Sequence, residues 1–333
     1  MTLKVGINGF GRIGRNVFRA IVESGADDIE VVGINDLSSI EQLAHLFQFD
    51  SIHGRFQGEI SIEDDCLVAN SHKPRVSAVR EPENLPWSDV DIALECTGRF
   101  TNRNAASLHL TNGSKKVIVS APCSEADKTV VFGVNHHLVD KDDKVISNAS
   151  CTTNCLSPVV KVINDAIGIN RGFMTTIHSY TGDQPTLDAI HKDPYRARAA
   201  AMSMIPTTTG AARAVGLVLP ELKGKLDGVA IRVPTPNVSV VDLKFEAARD
   251  TTPEEINNNI RNAAEGPLKG ILGYTDKPNV SIDFNHDSRS SIFHMDQTRV
   301  MDGTFCRILS WYDNEWGFSN RMVDVALEVG KTI

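Results

Sequence analysis

The chain has 333 residues and a formal net charge of −8, from 34 Lys and Arg against 42 Asp and Glu. Its length exceeds what one hydrophobic core usually supports, so two domains are expected. The acidic balance argues against nucleic acid as the main partner, although two or three basic side chains would still suffice for a local anion site. No apolar stretch approaches about 18 residues, and the N-terminus has no secretory leader pattern, so we expect no membrane span and a cytoplasmic location.

The six cysteines form no C-x-x-C pair and no metal-ligand spacing. We therefore predict reduced thiols, no metal site, and at most one catalytic cysteine.

The first third of the chain alternates strand and helix patterns. Short apolar runs predict buried strands, and apolar residues at helical spacing predict the helices between them. This alternation is typical of a parallel sheet covered by helices. The predicted elements are Leu3–Asn8, Arg12–Ser24, Ile29–Ile34, Glu41–Phe49, Asp91–Cys96 and Lys116–Ser120.

The pattern changes near residue 150 to one typical of an antiparallel sheet with helices. A polar, Pro-containing segment, Thr181–Pro206, interrupts it. The predicted elements are the helix Thr153–Ile167, the strands Phe173–His178, Val229–Pro234, Val238–Ala247, Val280–Phe284 and Thr304–Tyr312, and the amphipathic helix Asn320–Val329. We predict an α/β protein with a parallel-sheet domain over residues 1–150 and an α+β domain with a mostly antiparallel sheet over residues 151–315.

A glycine-rich turn, Gly9–Gly14, follows the first strand and opens the first helix. In a Rossmann-type domain, a glycine at the place of Gly9 permits the tight turn, one at Gly11 lets the pyrophosphate approach, and one at Gly14 allows close helix–strand packing. Asp36 ends the second strand, where a carboxylate accepts hydrogen bonds from ribose hydroxyls and repels a 2′-phosphate. The pattern predicts a site for NAD rather than NADP. The alternative is a tight turn in another kind of α/β protein.

Cys151 directly precedes a helical run, so its thiol is expected at a helix N-terminus, which lowers a thiol pKa. Cys155 lies one turn further on and is expected to be a buried structural residue. His178 ends a predicted strand and is a candidate base for a Cys–His pair. Spacing alone leaves this pairing open, because the chain has 10 histidines.

Six motifs in one order carry a family resemblance. They are Val5–Arg15, Ala149–Leu156, His178–Thr181, Pro206–Ala212, Arg232–Asn237 and Trp311–Gly317. Together they resemble the glyceraldehyde-3-phosphate dehydrogenase family over nearly the whole chain.

The resemblance implies roles at matching positions. Cys151 would be the nucleophile and His178 the general base. Substrate and inorganic phosphate would bind at Ser150, Thr152, Thr181, Arg196, Thr209, Gly210 and Arg232, with Arg198 as a rival to its neighbour Arg196. NAD would contact Gly9, Gly11, Arg12, Ile13, Asp36, Arg80, Ser120 and Asn314.

The implied activity is the NAD-dependent, phosphorylating oxidation of D-glyceraldehyde 3-phosphate to 1,3-bisphosphoglycerate in glycolysis or gluconeogenesis. A homotetramer is implied as well, with Thr181–Pro206 as an S-shaped loop near a neighbour's cofactor. The C-terminal helix, residues 316–333, would pack back onto the NAD-binding domain.

Two departures and three alternatives accompany this reading. Phe318 replaces a tyrosine common near the nicotinamide. Ala189-Ile190 replaces the Leu-Pro pair of many NAD-specific members, which weakens the case for strict NAD preference. The alternatives are a D-erythrose-4-phosphate dehydrogenase, an aspartate-semialdehyde dehydrogenase, and a non-catalytic NAD-binding thiol sensor. An intact Cys151–His178 pair argues against the sensor.

Overall fold

A computed structural model describes residues 2–333. The chain divides into two compact units. The first unit takes in the chain up to Val130, His136–Ala149 and Ser319–Ile333, and the second takes in Val131–Asn135 and Ser150–Phe318. Helix α7, Trp316–Gly330, therefore begins in the second unit and continues in the first.

The first unit contains a nine-stranded sheet in the order β3-β4-β5-β2-β1-β6-β7-β9-β8. All neighbours are parallel except β3·β4 and β4·β5. The strands are β1 Leu3–Asn8, β2 Ile29–Asn35, β3 Ile60–Glu63, β4 Cys66–Ala69, β5 Arg75–Ser77, β6 Ile92–Glu95, β7 Lys116–Val119, β8 Lys128–Thr129 and β9 Val145–Ser147. The helices are α1 Arg12–Ser24, α2 Ile40–Gln48, α3 Arg103–Ala106 and the 3-10 turns Pro82–Asn84, Ser107–Thr111 and His136–Leu138.

The central strands of this sheet end in polar side chains. β6 and β7 are buried along their whole length, as expected for parallel strands covered on both faces. Yet β1, β2 and β6 end in Asn8, Asn35 and Glu95, which are all buried. In parallel α/β sheets, ligands bind beyond the carboxyl ends of the strands. These three residues mark that edge.

The second unit contains an eight-stranded sheet in the order β11-β12-β10-β13-β17-β15-β14, with β16 paired to β17. Five pairs are antiparallel, whereas β10·β12 and β14·β15 are parallel. The strands are β10 Ile169–Ser179, β11 Ile205–Thr208, β12 Leu226–Val233, β13 Ser239–Ala247, β14 Leu272–Thr275, β15 Ser291–His294, β16 Arg299–Met301 and β17 Phe305–Tyr312. The helices are α4 Cys151–Ile167, α5 Ala211–Val218, α6 Pro253–Glu265 and the 3-10 turns Pro220–Leu222, Ser281–Phe284 and Met295–Gln297.

Helix α4 is the central helix of this unit, and it contacts α5, α6 and strands β10, β13, β15 and β17. Most of its residues from Thr152 to Val160 are buried, which anchors the helix and fixes its first residue, Cys151. His178 lies near the end of β10, where parallel pairing with β12 sets it beside Arg232.

One predicted strand is wrong. Val280–Phe284 contains a 3-10 turn, Ser281–Phe284, rather than a strand. The Asp283 carboxylate accepts from the backbone N–H of Val280 at 2.8 Å, which closes the turn. Val280 and Ile282 are exposed, so the β-branched residues that suggested a strand have no sheet to pack on.

No helix within residues 2–333 has the length and apolar content needed to cross a bilayer.

Candidate active site and cofactor pocket

Cys151 is the first residue of α4, and the residue as a whole is half-buried. Ser150 caps the helix, because its hydroxyl oxygen accepts the backbone N–H of Thr153 at 3.1 Å. The preceding Ala149 has a φ of 55°, a left-handed conformation that is unusual for a residue with a Cβ. Cys155, one turn further on, is fully buried, as expected for a structural cysteine.

The backbone favours one tautomer of His178. Its Nδ1 lies 2.7 Å from the carbonyl oxygen of Ser179, which only accepts, and 3.2 Å from Nη1 of Arg232, which only donates. The shorter contact favours the hydrogen on Nδ1, and Nη1 of Arg232 then donates to the same carbonyl at 3.0 Å rather than to the ring. The lone pair of Nε2 then faces the Cys151 sulfur at 3.6 Å. The structure therefore pairs a thiol with a base whose free nitrogen is oriented toward it.

The pKa shifts of Cys151 and His178 differ from those expected for a thiol at a helix N-terminus. Burial raises the pKa of the Cys151 thiol, and the positive charge of Arg232 offsets only part of that rise. Burial, together with the same Arg232 charge, lowers the pKa of His178 to about 3. The low thiol pKa expected from the sequence is therefore wrong for the free chain. The lowered His178 pKa leaves the imidazole as a neutral acceptor for the thiol proton.

Tyr312 contacts His178 and Thr152, the residue after Cys151, and the sequence analysis did not single it out. Its hydroxyl lies 2.8 Å from the Thr152 hydroxyl and 2.9 Å from that of Thr176. Its ring meets the His178 ring edge-on, with centroids 5.9 Å apart. Its place within the motif Trp311–Gly317 was the available signal, but the motif alone does not say which side chain faces the histidine.

Two guanidinium groups, those of Arg232 and Arg196, form a candidate anion site near His178. Arg232 donates to the Ser179 carbonyl at 3.0 Å and to the Thr181 hydroxyl at 3.3 Å. Its Nε is buried without a hydrogen-bond partner. Burial and the nearby charge of Arg196 lower the Arg232 pKa, so the two cations are close enough to repel each other. An unsatisfied donor between like charges suits a bound anion.

Arg196, rather than its rival Arg198, is the arginine whose charge acts on Arg232. Arg196 donates to Asp183 at 2.9 Å and to Thr207 at 3.1 Å, which fixes its guanidinium. Arg198 instead pairs with Asp188, and 66% of its side chain is exposed.

A second candidate anion site lies where α4 and α5 begin. Gly210 precedes α5 and gives it no side-chain cap. The hydroxyl of Thr209 accepts the N–H of Ala211 at 3.2 Å. The Thr153 hydroxyl donates to the Ala211 carbonyl at 3.3 Å, which ties the two helix starts together. Helix N-termini favour anions, and here two of them converge. The Thr152 hydroxyl is already bonded to Tyr312, and the Ser150 hydroxyl is bonded to that of Thr153 at 2.8 Å. Of the three hydroxyls of Ser150, Thr152 and Thr209, that of Thr209 is therefore the one most open to an anion.

The glycine-rich turn fits a dinucleotide. Gly9 has a φ of 92°, and a Cβ there would lie 2.7 Å from the Thr97 nitrogen. A Cβ at Gly14 would clash with the Gly9 carbonyl, whereas one at Gly11 would meet nothing within 4 Å. The first and third glycines are thus required by packing, and the second leaves open the space that a pyrophosphate needs.

The pocket beside this turn contains some of the predicted cofactor residues. It is lined by Asn8, Gly9, Gly11, Asn35, Asp36, Leu37, Val79, Arg80, Cys96, Thr97, Arg99 and Phe100. The Asp36 carboxylate also accepts the N–H of Phe10 at 2.9 Å, so it stiffens the turn. The predicted contacts Arg12, Ile13 and Ser120 do not line this pocket.

Arg12 and Asn314 are held by neighbours. Arg12 makes a two-pronged ion pair with Asp50, at 2.6 and 3.2 Å. Asn314 belongs to the second unit, where its side-chain oxygen accepts from the hydroxyls of Ser179 at 2.7 Å and Ser239 at 2.9 Å. This arrangement leaves the amide N–H groups of Asn314 as its free donors.

Known sequences match this chain over its whole length. Residues 3–103 match the domain described as Glyceraldehyde 3-phosphate dehydrogenase, NAD binding domain, and residues 150–314 match the C-terminal domain of the same family. A protein of Cereibacter sphaeroides named glyceraldehyde-3-phosphate dehydrogenase is 68% identical over 333 residues, covering 100% of both chains. The chain belongs to the glyceraldehyde-3-phosphate dehydrogenase family.

Other family members agree at lower identity. A relative of the same name from Xanthobacter flavus is 67% identical over 99% of both chains. The chromosomal one from Cupriavidus necator is 57% identical over 98% of both. The family has an NAD-binding domain and a C-terminal domain, which correspond in sequence to the parallel sheet and to the mixed sheet described above.

Proposed function

We propose that this protein oxidises D-glyceraldehyde 3-phosphate with NAD and inorganic phosphate, giving 1,3-bisphosphoglycerate and NADH. The observation that carries the proposal is the Cys151–His178 pair, with Nε2 facing the sulfur at 3.6 Å and Arg232 beside it. A nucleophile, a base and a phosphate-binding cation in one place are what this reaction requires.

The proton transfers follow from the favoured tautomer. Nε2 of His178 accepts the thiol proton as the Cys151 sulfur attacks the aldehyde carbon, and it returns that proton to the new oxyanion to give a hemithioacetal. The same nitrogen then accepts the hydroxyl proton during oxidation to the thioester. Bound NAD supplies the hydride acceptor for that step. Because the lowered His178 pKa keeps the imidazole neutral, the base is available in the free enzyme.

The two anion sites suit the two phosphate groups. We assign the substrate phosphate to Thr181, Arg196 and Arg232, since guanidinium groups give paired hydrogen bonds to phosphate oxygens. We assign the attacking phosphate to Ser150, Thr152, Thr209 and Gly210, at the starts of α4 and α5. For Thr152, whose hydroxyl is bonded to Tyr312, the contribution would come from its backbone amide.

NAD would be held by Gly9, Gly11, Asp36 and Arg80 at the pocket, with Arg12, Ile13, Ser120 and Asn314 as further contacts. Preference over NADP rests on the Asp36 carboxylate, which would be forced against a 2′-phosphate at a cost of about 1–3 kcal/mol. Comparable kcat/KM values for the two cofactors would contradict this preference.

A steady-state assay tests the reaction itself. Wild-type protein should sustain NAD reduction beyond a single turnover only when glyceraldehyde 3-phosphate and phosphate are both present, and Cys151→Ser should lose nearly all activity. Erythrose 4-phosphate serves as the competing substrate. A higher kcat/KM on erythrose 4-phosphate, or NAD binding without turnover, would contradict the proposal.

We also propose a cytoplasmic homotetramer. The loop Thr181–Pro206 exposes large apolar side chains, including Ile190 and Met202 at 106% and 78% exposure, and an exposed apolar surface of this kind suits a neighbouring subunit. All six cysteines are free thiols, in keeping with a reducing compartment. Analytical ultracentrifugation checks the assembly, and a monomer at micromolar concentration would contradict it. Cell fractionation checks the location.

A further inference from the structure

A continuous row of polar side chains, buried except for the half-buried Ser77, runs along the base of the cofactor pocket. It crosses the carboxyl ends of four neighbouring strands, β5, β2, β1 and β6. Its members are Ser77, Asn35, Asn8, Glu95 and His109. Of these, Asn8, Asn35, Glu95 and His109 are at most 3% exposed. Trp87 stacks on the His109 ring, with centroids 5.7 Å apart, and covers that end of the row.

The hydrogen bonds from Ser77 to Asn35, from Asn35 to Asn8 and from Asn8 to Glu95 all run in one direction, toward Glu95. Asn35 accepts from the Ser77 hydroxyl at 2.9 Å and the Val79 N–H at 2.8 Å, so its oxygen is identified by its donors. Its amide nitrogen therefore donates, to the Asn8 oxygen at 2.8 Å. The Asn8 nitrogen in turn donates to a Glu95 oxygen at 2.7 Å.

Glu95 ends the row because it accepts on both oxygens. One oxygen accepts from Asn8 and from Nε2 of His109 at 2.9 Å. The other accepts from the backbone N–H of Thr97 at 2.8 Å and from the Thr97 hydroxyl. An ionised carboxylate is the side chain that accepts at both ends and donates at neither. A neutral amide in its place would direct N–H groups at other donors.

Side chains of this row hold three segments that line the pocket. Asn8 leads directly into the Gly9 turn. Asn35 bonds both the N–H and the carbonyl of Val79, at 2.8 and 2.7 Å, which holds the segment that carries Arg80. Glu95 holds Thr97, and Val79, Arg80 and Thr97 all line the pocket. The direction of the hydrogen bonds thus sets which polar atoms the pocket wall offers to a ligand.

We propose that Glu95 and His109 are positioning residues for the dinucleotide: they fix the amide orientations of Asn8 and Asn35 and so align the pocket for NAD. The proposal rests on the proposed function for the identity of the ligand. Neither residue has to touch NAD for this role, since both act through Asn8 and Thr97.

Glu95→Gln tests the proposal, because it keeps the shape and removes the double acceptor. Isothermal titration calorimetry with NAD, on the purified protein in whatever assembly it adopts, should give the Glu95→Gln variant a Kd roughly 10- to 100-fold above that of wild type. This is the range expected for the loss of hydrogen bonds to a charged group. The KM for glyceraldehyde 3-phosphate should stay within about twofold, because the substrate is assigned to the second unit. Glu63→Gln is the matched control, because it makes the same change on an exposed strand of the same sheet. Glu63 lies at the end of β3, where its carboxylate pairs with Lys73.

A second pair of variants covers the case in which Glu95→Gln fails to fold. His109→Leu removes one donor to Glu95 and should weaken NAD binding, whereas His109→Gln keeps an N–H donor and should restore most of the affinity. A purely structural role would lower the melting temperature and leave the Kd of the folded fraction unchanged. That result, with wild type binding NAD normally, would overturn the positioning role alone. Failure of wild type to bind NAD would instead overturn the cofactor assignment.

Discussion

At Cys151, burial and positive charge act on the same thiol in opposite directions. Burial raises the pKa and Arg232 lowers it, and burial is the larger effect. We predict that the rate of Cys151 alkylation by iodoacetamide rises steadily between about pH 6 and pH 9, because the reactive thiolate increases throughout that range. The rate is measured by mass spectrometry of the peptide containing Cys151. A plateau already present at pH 6 would mean that the thiol is ionised, as the helix N-terminus alone predicts.

Arg232 is the residue through which substrate charge should act. Arg232→Ala should raise the KM for glyceraldehyde 3-phosphate by roughly tenfold or more, since it removes charge-assisted hydrogen bonds to the substrate phosphate. Turnover of unphosphorylated glyceraldehyde should scarcely change. Arg198→Ala is the control, because Arg198 is exposed and paired with Asp188. Equal losses on both aldehydes would place the effect on His178 rather than on phosphate binding.

At the scale of the elements, the glycines of the turn before α1 have separable roles. Gly14→Ala should destabilise the protein, because a Cβ there clashes with the Gly9 carbonyl. Gly11→Ala meets no atom within 4 Å and should fold normally, yet it should weaken NAD binding by filling the space left for the pyrophosphate. Melting temperature and NAD Kd are measured for both variants. Normal NAD affinity in Gly11→Ala would disprove that use of the open space.

Elements were predictable where one local signal decided them. Helix α1 has the predicted bounds, Arg12–Ser24, because a glycine turn and helical spacing agree. The 3-10 turn after Val280 was not predictable, since it depends on a capping carboxylate rather than on β propensity. At the site, Cys151 and His178 could be predicted because a cysteine at the start of a helix and a histidine at the end of a strand are typical of a Cys–His pair. Tyr312 and the row ending at Glu95 did not, because their contacts join positions far apart in the chain and depend on strand order.

At the scale of the whole molecule, His178 should make stability sensitive to acid. Its pKa falls from 6.5 to about 3 on folding, so between those values the unfolded chain binds the extra proton. Stability therefore rises with pH across that window and is lost as pH falls through it, by up to about 1.4 kcal/mol per pH unit. The melting temperature of wild type should fall more steeply from pH 6.5 to 4 than that of His178→Asn.

The melting temperatures of wild type and His178→Asn are compared only down to pH 4, because carboxylates begin to contribute below that pH. The Arg12 ion pair, opposed by burial, holds the pKa of Asp50 at about 2, and its stabilisation is lost only as pH falls below 3.8. Parallel curves for wild type and His178→Asn above pH 4 would contradict the assignment of acid sensitivity to His178.

The unsatisfied Nε of Arg232, close to the charge of Arg196, has a consequence for handling the protein. If this is the proposed phosphate site, a tetrahedral dianion should bind there in the native chain and not in the unfolded one. At a concentration 100 times its Kd, such an ion adds about 2.7 kcal/mol to the free energy of unfolding. Shelf life and melting temperature would then depend on the buffer salt, with sulfate or phosphate preserving a preparation that chloride at equal ionic strength does not.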